Sequence, residues 1–122
     1  ASATVGGGSK FLTVGYHPPT NAGLLATDPK YVTVKAGTVD LFIVNVLDSS
    51  IGAGNVTLRI YKNGVATAMQ TAPIANGTTG PIVIVANSFV VNDGDVLSIA
   101  AVSSAGVLAN TFTCACFVQV AS

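Results

Sequence analysis

The sequence predicts an all-β fold: a single, jelly-roll-like antiparallel β-sandwich of about eight strands behind a flexible N-terminal arm. Three observations carry this. Short segments rich in Val, Ile, Thr and aromatic residues recur from residue 31 to the C-terminus, which is strand composition. Clusters of Gly, Asn, Asp and Ser separate them at regular intervals, as turns would. All five acidic residues are Asp and none is Glu, a choice that favours turns over helices.

The elements follow in order. Residues 1–10 (ASATVGGGSK) carry three consecutive glycines and little to bury, so they read as a flexible arm. A short apolar stretch at 11–14 precedes a loop stiffened by Pro18 and Pro19, giving an arm-and-loop unit over 1–20 and a sandwich domain over 21–122. Strands are expected at 31–35, 39–47, 55–62, 65–72, 81–85, 88–91, 96–102 and 111–120. Within 55–62, Val56, Leu58 and Ile60 alternate with Thr57, Arg59 and Tyr61, the pattern of a strand with one buried face. Asn63-Gly64 then supplies the two positive-φ residues of a type I′ hairpin turn.

At 122 residues the chain can bury roughly two thirds of its unfolded surface without metal or disulfide support. Hydrophobic residues make up 50% and charged residues only 8%, against about 25% charged in an ordinary domain. A surface so poor in charge predicts cover by other subunits. Lys10, Lys30, Lys35, Arg59 and Lys62 form no basic run, so no nucleic-acid or anionic-membrane partner is expected. No segment is long and apolar enough for a membrane-spanning helix.

Little chemistry is written into the chain. His17, the single histidine, lies in a loop with no nucleophile motif around it, so no catalytic residue is expected. Cys114 and Cys116 share a strand face with Phe112, Val118 and Val120 and read as small core residues. Their side chains are expected roughly 6.5–7 Å apart, too far for a mutual disulfide, and with one histidine they fall short of a zinc set. Asp93-Gly94-Asp95 reads as a turn capped by its own carboxylates rather than a calcium loop. Asn55-Val56-Thr57 and Asn76-Gly77-Thr78 match the glycosylation sequon, which matters only on a secretory route. No small-molecule substrate, metal or cofactor is expected.

The succession YVTVKAG (31–37), VDLFIVNV (39–46), VTLRIYKNG (56–64) and VVNDGDVLSIAAVSSAG (90–106) resembles small all-β structural proteins of tailed bacteriophages. These are capsid decoration (cement) proteins and related virion modules, and the likeness spans about residues 25–120. Lys35 stands where that pattern usually has proline, and the KNG…GD part is shared with C1q/TNF-like trimeric fibre tips. The resemblance implies a non-enzymatic virion protein that binds itself, as a dimer or trimer, and a major capsid or other virion protein. Val5, Phe11, Leu12, Val14, Tyr16, Arg59, Tyr61 and Lys62 are the candidate interface residues. Two rival roles are a filament or spore-surface subunit that donates its arm as a strand, and a receptor-binding fibre tip.

Overall fold

A computed structural model describes residues 8–11, 32–104 and 112–122. Their strands are β1 (Gly8–Phe11), β2 (Val32–Thr33), β3 (Gly37–Ser49), β4 (Asn55–Lys62), β5 (Val65–Gln70), β6 (Ile74–Ala75), β7 (Gly80–Ile84), β8 (Phe89–Val91), β9 (Val96–Ser103) and β10 (Phe112–Ala121). They form two antiparallel sheets, a β-sandwich. One runs β1–β9–β4–β5, with β2 also on β9 and β6 also on β4; the other runs β10–β3–β7, with β8 also on β3. Between them lies one core, built by Val39, Phe42, Val44 and Val46 from the second sheet and Val56, Leu58, Ile60, Met69, Leu97 and Ala101 from the first.

The alternation predicted for 55–62 is the one observed: Val56, Leu58 and Ile60 are fully buried and Thr57, Arg59 and Tyr61 half-buried. β3 is different, because its inward-facing residues do not keep one parity along the strand. Two bulges account for this. Against the regular run of β10, Asp40 and Leu47 are each an extra residue in β3, since Gln119 faces Leu41 while Val120 faces Val39, and Thr113 faces Asp48 while Cys114 faces Val46. Each bulge switches the inward parity, so Val39, then Phe42, Val44 and Val46, then Ser49 all point into the sandwich. Gln119 donates to the Asp40 carboxylate at 3.2 Å, giving one bulge residue a partner. At the start of the strand, a Cβ on Gly37 would stand 2.5 Å from the Ala121 carbonyl oxygen, so only glycine admits the close approach of β10.

Three expectations change. The arm gives up its last part: Gly8–Phe11 pairs with β9, Phe11 opposite Ala100, so the backbone of β1 satisfies an otherwise open edge of β9. Residues 1–7, 12–31 and 105–111 lie outside the described residues. The strand expected at 31–35 is paired only at Val32–Thr33, because the Val34 backbone bonds with Asp95 and Gly94 of a turn instead. A short strand was not foreseen at Ile74–Ala75; it pairs with the start of β4 and buries Ile74.

The β4–β5 turn does more than reverse the chain. Asn63 and Gly64 have φ of 51° and 80°, as a type I′ turn requires. Asn63 is also bonded to the start of β9: its N–H donates to the Val96 carbonyl at 2.8 Å, its Oδ1 accepts from the Val96 N–H at 3.0 Å, and its Nδ2 donates to the Asp95 carboxylate at 2.9 Å. The second Asp95 oxygen accepts from the Asn92 N–H at 2.8 Å. These bonds, the Asn63 amide first, hold the Asp95 carboxyl below its ordinary value of 3.8.

Substituting Gly64 by Ala should cost about 1–2 kcal/mol through left-handed strain alone, because nothing lies within 4 Å of the added Cβ. Asn63→Gly keeps the permissive backbone and loses the side-chain bonds, so a similar loss of about 1–2 kcal/mol is expected; urea midpoints at constant slope check both. With a depressed folded pKa, the Asp95 contribution is complete above its ordinary value of 3.8 and is lost as pH falls through the folded value. The urea midpoint of Asp95→Asn should therefore fall less steeply below about pH 4 than that of the parent.

Candidate functional site

The pleat that buries one parity of β3 must present the other. Leu41, Ile43 and Asn45 face outward, with Ala115, Phe117 and Gln119 of β10 on one side and Pro81 and Val83 of β7 on the other. Phe117, Ile43 and Val83 are direct cross-strand partners, so they form an apolar row across three strands. Phe117 is 53% exposed and Val83 59%. Val85, Val90 and Leu47 are exposed as well, extending the apolar surface beyond the row.

The electrostatics of this sheet are sparse. β3, β7, β8 and β10 contain no Lys or Arg, and their acids are Asp40 and Asp48. Asp40 takes its bond from Gln119, and Asp48 accepts from the Ser50 N–H at 3.0 Å and the Ser50 hydroxyl at 2.8 Å. Nothing charged interrupts the Phe117–Ile43–Val83 row. A strand apolar at both parities is the pattern of a strand covered on both faces, yet among the described residues Phe117 and Val83 of this face stay exposed.

The opposite face of the molecule differs. Thr57, Arg59 and Tyr61 project from β4 beside Ala100 and Ser98 of β9, both buried. Arg59 Nε donates to Gln70 Oε1 at 2.7 Å, and Tyr61 is half-buried. Lys62 reaches across the end of the sandwich, its ammonium donating to the Val90 carbonyl at 3.2 Å. These three candidate interface residues thus stand apart from the Phe117–Ile43–Val83 row, and Arg59 and Lys62 engage partners within the chain. Phe11 lies in β1; Val5, Leu12, Val14, Tyr16 and His17 fall outside the described residues.

The Asp93-Gly94-Asp95 segment is a turn that one of its two carboxylates caps: Asp95 accepts from the Asn92 N–H, while Asp93 Oδ1 reaches out of the turn to accept from the Ala36 N–H at 2.7 Å. Cys114 and Cys116 face the core as expected, Cys114 buried and Cys116 half-buried. Their sulfurs, however, are 3.9 Å apart, much closer than strand spacing alone implies. Of the sequon residues, Asn55 and Asn76 are both exposed.

Sequence reasoning missed the outer face of the β10–β3–β7 sheet. The signal was the absence of polar alternation in VDLFIVNVL (39–47), which demands cover on two sides. A comparison of the chain with protein-family models, with curated proteins and with solved structures finds no match.

Phe117→Ser and Val83→Ser should each shift the unfolding free energy of the isolated chain by less than about 0.5 kcal/mol, as surface changes do. Phe42→Ala, from the buried parity, should cost about 3–5 kcal/mol. Urea denaturation distinguishes a free face from a core face in this way.

Proposed function

We propose that this chain is a non-enzymatic structural subunit that assembles through the outer face of the β10–β3–β7 sheet, and that the assembly it serves is a virus shell, as a capsid decoration protein. The observation that carries the structural role is the uncharged Phe117–Ile43–Val83 row on an open sheet face. Burying such a surface yields ~25 cal/mol per Å² of apolar area, and stable interfaces bury about 1,200–2,000 Å² in total. The low overall charge supports the same reading, since 8% charged residues leave little else to drive association. The capsid setting rests on the resemblance of the 31–106 segments to phage decoration proteins.

A jelly-roll winding fits this reading and is supported by the path of the chain. The chain changes sheet between β2 and β3, β3 and β4, β6 and β7, β8 and β9, and β9 and β10. Repeated crossing of this kind belongs to interleaved Greek keys rather than to successive hairpins.

The test is sedimentation of the purified chain over a range of concentration and salt, with and without shells from its native source. The wild type should self-associate or bind shells, and raising the salt from 0.1 to 1 M should not weaken association. Phe117→Asp should dissociate the complex by ten-fold or more while staying folded. A monomer at all concentrations that never binds shells would sink the proposal, as would a Phe117→Asp variant that associates normally.

A further inference from the structure

A strand at the margin of a sheet presents a row of unpaired backbone N–H and C=O groups, a template for another strand unless it is blunted. Of the four sheet margins among the described residues, three are blunted. β1 and β2, which share one side of β9, are four and two residues long. β5 pairs irregularly with β4, and the Asn87 side-chain amide donates to its Ala68 carbonyl at 3.2 Å. β7 opens with Gly80-Pro81, and β8, on the same side of β3, has three residues.

β10 is the exception. It runs for ten residues, FTCACFVQVA, without a charge, a proline or a glycine, and among the described residues it pairs with β3 alone. Both bulges of that ladder lie in β3, so β10 itself stays regular. In an antiparallel ladder alternate residues of a strand bond to one neighbour, and the rest aim their N–H and C=O groups the other way. Every second residue of β10 therefore offers its backbone to a strand on the far side from β3.

The strand that fits is β10 of a second copy. It matches in length and in neutrality, and the other margins of that copy are blunted. Residues directly opposite one another lie on the same face of a sheet, so two cores on one side of a joined sheet require pairing that keeps parity. A two-fold pairing centred on Phe117 does this. It sets Phe117 opposite its own copy, as an aromatic cross-strand pair, and Ala115 opposite Gln119 of the second copy. The Phe117–Ile43–Val83 row of one copy then runs on into the row of the other.

We propose that β10 is a self-pairing edge: two copies of this chain join β10 to β10 about a two-fold axis at Phe117, making their β10–β3–β7 sheets one. The proposal rests on the reading of the outer row as an assembly surface. It adds the partner, a second copy, and the contact, a backbone ladder whose main-chain bonds carry much of the affinity. Such an isologous contact closes at two subunits.

The experiment is sedimentation of the full chain over a range of concentration, with amide exchange followed residue by residue by NMR. As the dimer forms, alternate amides of β10 should slow by roughly ten-fold or more. Ala115 and Gln119 are exposed and carry the test of register. Ala115→Lys with Gln119→Lys sets like charges opposite at two points of the joint and should weaken dimerisation by roughly ten-fold or more. Ala115→Glu with Gln119→Lys sets opposite charges there and should dimerise within roughly three-fold of wild type. Both variants lose the Gln119–Asp40 bond, so that loss does not separate them. Equal dimerisation by the two double variants overturns the proposal, as does a dimer whose β10 amides all exchange as they do in the monomer. A chain that stays monomeric yet binds shells through Phe117 also overturns it, and leaves the outer-face reading standing. A β10 dimer that binds no shell upholds the edge and sinks the shell reading alone.

Discussion

The pleat of β3 is the constraint on which the sandwich depends. Side chains of a strand alternate strictly between two faces, and β3 is apolar on both parities while pairing with β10, β7 and β8 at once. Without bulges at Asp40 and Leu47, a regular pleat that buries Phe42, Val44 and Val46 would turn Val39 and Ser49 outward. Both bulges lie in β3, so β10 keeps an unbroken inward series from Phe112 through Cys114, Cys116 and Val118 to Val120. The same alternation makes the outer row unavoidable: Ile43 faces out because Phe42 and Val44 face in.

Polar side chains close the sandwich where the strands stop. Asn63 links the tip of the β4–β5 hairpin to the first residues of β9, and Lys62 links it to the carbonyl of Val90 in β8 on the other sheet. Thr71 Oγ1 accepts from the Leu58 N–H at 3.1 Å, and Thr67 Oγ1 donates to the Ile60 carbonyl at 2.7 Å, filling the β4 ladder where β5 is irregular. A chain with few charges thus uses amides, hydroxyls and four aspartates for work that ion pairs perform elsewhere. Its surface is left with few charges.

The elements with a clear period or a clear turn were legible from residues alone. Val56, Leu58 and Ile60 could only be one face, and Asn63-Gly64 could only be a tight turn. What the pair Asn63 and Asp95 would do together was not legible, because 32 positions separate them and only the fold brings them within 2.9 Å. The bulges were hidden for a related reason: an extra residue is defined against a partner strand, and β10 lies far along the chain from β3. The two-residue strand at Ile74–Ala75 is too short to carry any period. The thiol separation follows from side-chain lean and not from spacing, so the Cys114–Cys116 approach appears only with coordinates.

On the proposed reading, the apolar, uncharged outer face of the β10–β3–β7 sheet is covered by another molecule in the working state. Hydroxyl-radical footprinting of Phe117 and Val83, with the exposed hairpin residue Val65 as internal reference, tests that claim most directly. In the assembled state, whether oligomer or decorated shell, Phe117 and Val83 should lose most of their reactivity while Val65 keeps its own. Undiminished reactivity of Phe117 in the assembled state would contradict the assignment of this face as the interface.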